Sequence, residues 1–506
     1  ADVNHADKSG STPLERAMAD NNVDMIRILT EVEADFTTHD DKGTPLVNIA
    51  ANHDKAAIVS EERGTPKHVM KKVQLNNFVD AWKCLMADYE DGFSPLTLAV
   101  KEGHMDAVRD LVELGADVNH VDKSGRTPLE RAIADDNVDM MRTLVEVGAE
   151  VNSPGKYRIQ SSSPVFVASR MGRIAALRTL VELGGDINSV NPHGHTPVCV
   201  TSKDGDVHMI RVLAELGADL NTVAEDGFSP VFIAVDNSRV DAIRVLAELG
   251  ANFCARDVNG CTPMHVAAQK GQASVIRALA EHGVDVNTPY DSGETPLHIA
   301  AFIGEVSAIS ALIDIGADVN SPTKLGDTPL ITATAHGHVG AIRALVERGA
   351  DINTPCSDGR TPFFIAAQLR KVEAIRVLAE LGANVNTPDA EGRSPLYVAA
   401  QRGQVAAIRT LIGMRADIDK GSNLRSSPLH RVLMNVHNTI RRQVSLLLVN
   451  SGADVKQCFT RIPATKTEHI HDMMNRLFDS MSLSGNHSYD GAATYAAKCS
   501  LFSLTK

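Results

Sequence analysis

The 506-residue chain carries 63 acidic against 50 basic residues, a net charge of −13, and only 4% aromatic residues with one tryptophan. That balance argues against nucleic acid and anionic membrane surfaces as main partners, and no apolar run reaches the roughly 18 residues that a bilayer-spanning helix requires. Seven scattered cysteines (Cys84, Cys199, Cys254, Cys261, Cys356, Cys458 and Cys499), odd in number and without a C-x-x-C pair, point to reduced thiols in an intracellular setting rather than to a disulfide framework.

In chain order, residues 1–48 already carry the pattern that dominates later. The chain opens at Ala1-Asp2-Val3-Asn4, the first position of a repeat, so residues are expected upstream. Residues 49–90 break the pattern: an enlarged, degenerate repeat with a loop near 56–72 and an amphipathic helix marked by Phe78, Val79, Trp82, Leu85 and Met86. Lys67, His68, Lys71 and Lys72 give that loop a basic edge. Residues 91–452 form a regular array. Its marks are Thr-Pro or Ser-Pro at Thr127, Ser163, Thr196, Ser229, Thr262, Thr295, Thr328, Thr361, Ser394 and Ser427. Eight of the nine intervals are 33 residues and one is 36, owing to an insertion at 154–162. Residues 453–506 leave the repeat. Ile470, Met473, Met474, Leu477, Phe478 and Met481 predict a helix over Thr467–Leu483 that caps the last repeat, followed by an irregular tail.

Within one unit, residues 284–316, the spacing predicts turn, helix, tight turn, helix, turn. Gly293 suits a turn, Thr295 an N-cap and Pro296 the first helical position. Gly304 breaks the first helix, Val306–Ile313 form the second, and Gly316 ends it in left-handed geometry. Helices this short are marginal alone, so the core is assembled by stacking.

The runs Gly260-Cys261-Thr262-Pro263-Met264-His265-Val266-Ala267-Ala268 and Gly316-Ala317-Asp318-Val319-Asn320 resemble the ankyrin repeat family. The resemblance implies an all-α solenoid of about thirteen stacked helix-turn-helix units with projecting hairpin-like turns. It also implies that His265, His298 and His430 bond within the turn, and that partners lie across the concave side built from turn tips and first helices. Asn119, Asn320 and Asn353, in the Asp-Val-Asn or Asp-Ile-Asn run, match the position that an asparagine hydroxylase modifies in some members of that family.

Two other patterns have structural readings. The second helices carry arginines at the same position (Arg109, Arg142, Arg178, Arg211, Arg244, Arg277, Arg343, Arg376 and Arg409), interrupted by Ser310. Nearly every one has an acid four residues on, which predicts i,i+4 pairs on a solvated face. No GxGxxG with its acid, GxxxxGK[ST], HExxH or GxSxG motif occurs, so the expectation is no enzyme, no cofactor and no metal.

Residues free of the repeat rule are the candidates for partner contact: Phe228, Tyr290, Glu294, Phe302, Ile303, Leu325, Asp327, Arg360, Leu369, Arg393 and Arg402. Phe302 and Ile303 stand where neighbours carry Gln269-Lys270 and Gln401-Arg402, which predicts an apolar strip flanked by arginines. The function expected is a non-catalytic scaffold or adaptor, binding a protein or peptide and able to bridge a larger assembly. The expected location is the cytoplasm, with the cytoskeleton or the nucleus as alternatives. Two alternatives stay open: an adaptor recruiting substrates to a ubiquitin ligase, and the ankyrin part of a larger enzyme or channel.

Overall fold

The computed structural model describes residue 13 and residues 94–455, apart from 114, 123, 124, 154–162, 226, 258, 424, 425, 436 and 437. The N-terminal repeats, the 49–90 insertion, the lengthened turn at 154–162 and the helix expected at Thr467–Leu483 lie outside the described residues. Residues 94–455 contain 22 helices and, among the described residues, no strand. The chain divides into two compact units, Ala1–Asn252 and Phe253–Lys506.

The marks begin the first helix of every pair. Ser or Thr takes an extended N-cap conformation and proline follows at the first helical position, where its missing N–H has no cost. Thr328 Oγ1 accepts the Ile331 N–H at 3.3 Å, and Ser394 Oγ accepts that of Tyr397 at 3.1 Å. Second helices end where Gly316, at φ 99°, lets its own N–H reach Ile313 O and the Ala317 N–H reach Leu312 O. Four residues take the left-handed geometry without being glycine: Asp136, Ser238, Arg370 and Arg415, at φ 54–61°. Each costs about 1 kcal/mol. Arg415 stands before Ala416 where other second helices end in glycine; Glu33, at the same place before Ala34, lies outside the described residues.

In the first unit, first helices such as Pro197–Asp204 and Pro230–Asp236 stack on one another, and second helices such as Val207–Glu215 and Val240–Glu248 stack behind them. The second unit repeats this with Pro263–Gln269, Pro296–Ile303, Pro329–His336, Pro362–Gln368, Pro395–Gln401 and Pro428–Asn435 in front. The core lies between the rows. In the helix Val306–Asp314, Ala308, Ile309, Ala311 and Leu312 are all sealed from solvent. Each buried Ile or Leu contributes about 1.5–3 kcal/mol, and the alanines let neighbouring repeats approach.

Two ladders join the repeats along their length. In the first, an asparagine carbonyl accepts a backbone N–H of the next repeat. In the first unit Asn119 takes that of Glu150 (3.0 Å), Asn152 that of Asp186 (2.8 Å) and Asn188 that of Asp219 (2.8 Å). In the second, Asn287, Asn320, Asn353 and Asn386 take those of Asp318, Asp351, Asn384 and Asp417 at 2.9–3.0 Å. The amide nitrogen of Asn152 also donates to Gly184 O at 3.1 Å, and that of Asn287 to Gly316 O at 3.3 Å. Needing both an acceptor and a donor selects asparagine over aspartate.

The second ladder corrects the i,i+4 expectation. The arginines reach the acid of the following repeat: Arg142–Glu182 at 2.6 Å, Arg178–Glu215 at 2.8 Å, Arg211–Glu248 at 2.5 Å and Arg343–Glu380 at 2.7 Å. Arginine before glutamate is the weaker order within one helix, and stacked helices about 8–10 Å apart lie within reach of a long side chain. Both partners are about half exposed, so each pair contributes about 0–1 kcal/mol. Where Ser310 removes a rung, Arg348 reaches Asp314 from the next repeat at 2.5 Å and holds that carboxyl below its usual range, with Arg277 helping.

Candidate partner-binding surface

In the second unit the first helices run between two hydrogen-bonded edges. One edge is the row of turn tips. The Lys324 N–H donates to Ser292 O (3.1 Å), Ser357 to Leu325 O (3.0 Å), Ala390 to Asp358 O (3.0 Å) and Asn423 to Glu391 O (3.0 Å). The other edge is the row of first-helix C-termini, whose end carbonyls lack intrahelical partners. There, side chains of the next repeat donate to them: His338 Nε2 to Phe302 O (2.9 Å), Lys371 Nζ to His336 O (3.0 Å), and Arg402 and Gln404 to Gln368 O (3.0 and 2.9 Å). The edges are separated by the length of a seven- or eight-residue helix, about 10–12 Å.

The expected apolar side chains lie on this face and reach solvent. Phe302 is 48% exposed, Ile303 38%, Leu369 41% and Leu325, on a turn tip, 71%. Phe302 is not wholly free: its ring lies 4.2 Å from that of His336, centroid to centroid. Ile331, Cys356 and Ile365 form a buried cluster with Ala335 against it.

The expected arginines separate into two kinds. Arg360 is bound to Asp358, and its Nη1 reaches Gln368 Oε1 at 3.4 Å. Arg393 grips the buried Asp389 through Nε (2.7 Å) and Nη2 (2.6 Å), and touches Glu391 at 3.0 Å. Arg402 instead sits on a carbonyl and keeps its net charge. Glu294 accepts from Ser292 Oγ. Asp327 is half-buried; burial raises its carboxyl above the usual range, Arg360 opposes this, and Asp358 and Glu294 reinforce it.

Tyr290 and Phe228 are half-buried. The Tyr290 hydroxyl lies 2.7 Å from Cys261 Sγ and its ring stacks on His265 at 4.1 Å. Burial pushes both its phenol and the Cys261 thiol up, so neither ionises near neutral pH. Phe228 leans on Phe232 at 5.7 Å, in the first unit.

His265 and His298 make the turn bond that the resemblance implied. His298 Nδ1 accepts the Thr295 N–H at 3.1 Å, which leaves the proton on Nε2 to donate to Asp327 O at 3.0 Å. His265 repeats the first bond at 3.2 Å, and the backbone carbonyl of Glu294, the counterpart of Asp327 O, faces its ring. Burial lowers both imidazoles, His265 to about 4. Sequence reasoning missed the contact of His336 and His338 with Phe302. The run His336-Gly337-His338, where neighbours carry Lys270-Gly271-Gln272 and Arg402-Gly403-Gln404, was its only trace.

Asn119, Asn320 and Asn353 are rungs of the amide ladder on exposed turns. Among the described residues, no three His, Cys, Asp or Glu side chains gather as a metal set, and no helix is long and apolar enough to cross a membrane.

Models of ankyrin repeats match residues 69–154, 165–257, 252–323 and 305–389 as three-copy blocks and 391–423 as a single repeat. The chain therefore belongs to the ankyrin repeat family, whose repeats generally mediate protein–protein interaction. No curated protein matches it. Among solved structures, 573 chains match. One, titled as the crystal structure of the human ASB11 ankyrin repeat domain, is 27% identical over 44% of this chain and 99% of that chain, with a TM-score of 0.39.

Proposed function

We propose that this chain is a non-catalytic interaction scaffold or adaptor that binds a protein or peptide segment across the turn tips and first-helix ends of the second unit. The observation that carries the reading is the exposure of Phe302, Ile303, Leu325 and Leu369 on one face. Equivalent positions at Gln269, Lys270, Gln401 and Arg402 are polar. Large apolar groups gathered at solvent mark interaction sites more often than isolated ones do. Glu294, Asp327, Arg360, Arg393 and Arg402 border that strip, and Tyr290 is its half-buried N-terminal edge.

The test is the double substitution Phe302→Lys/Ile303→Lys in the full chain. Circular dichroism should match the wild type, because both side chains stand on the surface. Proteins retained by the wild-type chain from its native source should be lost from the variant. Identical retention by both would end the reading, and unfolding of the variant would show that the two residues belong to the core.

A further inference from the structure

The two edges of this face carry opposite charge. Along the turn tips from residue 289 to 393 stand Asp291, Glu294, Asp327, Asp358, Asp389 and Glu391 against Lys324, Arg360 and Arg393. Arg360 and Arg393 are already occupied by Asp358 and by Asp389 and Glu391. Set against Lys324, the remaining Asp291, Glu294 and Asp327 leave a negative excess on the turn-tip edge that carries Leu325. Along the helix ends from residue 269 to 404 stand Lys270, Arg370, Lys371 and Arg402 against Glu305 alone. Lys371 and Arg402 hydrogen-bond to carbonyls, which hold a cation without neutralising it.

The helix-end turn takes glycine at Gly271, Gly304, Gly337 and Gly403. Arg370 holds the same left-handed backbone, at φ 61°, with an exposed side chain. Asp136 and Ser238 hold the same strained geometry at this turn in first-unit repeats, so the strain marks no site by itself; what Arg370 adds is an exposed cation next to the exposed Leu369.

The spacing selects the shape of the occupant. The gap between the edges, about 10–12 Å, equals the diameter of an α-helix with its side chains. Seven residues of helix rise about 10.5 Å, close to the roughly 8–10 Å between stacked repeats. Heptad-spaced apolar residues would therefore meet successive repeats, with Phe302 and Leu369 two repeats apart.

We propose that the face takes an amphipathic helix of a partner protein, its apolar stripe on Phe302, Ile303 and Leu369, its acids toward Arg370 and Arg402, and its lysines or arginines toward Glu294 and Asp327. This deepens the interaction reading above and rests on it.

The experiment uses the full chain and three labelled synthetic helical peptides of equal length, each with leucines at heptad spacing. One carries glutamates on one flank and lysines on the other, one glutamates on both, and one lysines on both. In fluorescence anisotropy the mixed-flank peptide should bind several-fold more tightly than either uniform one. Arg370→Gly, which relieves the backbone, should weaken the mixed and all-glutamate peptides but not the all-lysine one. Glu294→Gln/Asp327→Asn should weaken the mixed and all-lysine peptides only. Equal affinities, or a preference for a uniform peptide, would overturn the charge assignment. If Phe302→Lys/Ile303→Lys still abolished equal binding, the face itself would stand. Binding unaffected by that double substitution would place the site elsewhere, and no binding of any peptide would exclude such a helix as occupant.

Discussion

His265 is buried to 1% exposure with Nδ1 accepting an N–H, so it must fold as the neutral imidazole. Burial lowers it from 6.5 to about 4. The unfolded chain therefore binds the proton more readily than the folded one. Its stabilising contribution is complete above the unfolded value of 6.5 and is lost as pH falls toward 4. At pH 5 this difference amounts to about 2 kcal/mol. Phenylalanine serves at the same position in the repeats of Phe166, Phe232 and Phe364, so His265→Phe is a tolerable probe. It gives up the hydrogen bond to the Thr262 N–H, at about 1 kcal/mol. Urea unfolding followed by circular dichroism should find the variant less stable at pH 7 and more stable than wild type near pH 5. A stability gap that does not change with pH would refute the reasoning. Nitrogen-15 spectra of the ring would show independently whether His265 stays neutral at pH 5.

Arg415→Gly should stabilise the joint before Ala416 by about 1 kcal/mol by releasing a left-handed arginine; unchanged hydrogen exchange at that joint would contradict it. Asp419 replaces the ladder asparagine in the last described rung, accepting the Asp454 N–H at 3.0 Å; burial raises its carboxyl, that N–H opposes the rise, and the charges of Asp454 and Asp417 reinforce it. Folding thus favours its protonated form, so Asp419→Asn should stabilise the C-terminal repeats at pH 7 by about 1 kcal/mol, an advantage that shrinks as acid protonates the wild-type group. Arg211→Ala should shift the unfolding midpoint little, less than about 1 kcal/mol, because its pair with Glu248 is half exposed. Treatment with an ankyrin asparagine hydroxylase should add oxygen at Asn119, Asn320 or Asn353, read by intact mass and peptide mapping; an unchanged mass would end that proposal.

Much of the fold was legible because it follows from local chemistry. Thr295 and Pro296 start a helix wherever they fall, and Gly316 ends one, so the period alone located these elements. What the sequence hid were relations between residues more than thirty positions apart. Arg178 and Glu182 sit four apart and suggest one helical pair, yet Arg178 pairs with Glu215, which only stacking brings near. Asn320 looks like an ordinary turn residue until its carbonyl is found on the Asp351 N–H. At the candidate site the exposure of Phe302, Ile303, Leu325 and Leu369 followed from breaking the repeat rule. The state of the arginines did not: Arg360, Arg393 and Arg402 read alike in sequence, but only the arrangement of Asp358 and Asp389 decides which keeps its charge.

Departures from the repeat rule are therefore not equivalent, and compensation distinguishes them. Ser310 deletes a rung of the outer ladder, but Arg348 stands where the adjacent repeats have Ile315 and Leu381 and restores a cation to Asp314. The loss and the repair lie on one face and balance, as a purely structural drift would. Phe302 is repaired only in part, by the ring of His336, and nearly half of it still meets water. Ile303 and Leu369 remain more than a third exposed, and Arg370 keeps its backbone strain. These uncompensated changes fall two repeats apart on the side of the first-helix ends, while the second helices behind them keep their buried Ala, Ile and Leu pattern. A solenoid tolerates such changes without losing its stack, since each repeat's core lies elsewhere. Their persistence on one face is best accounted for by something that covers them.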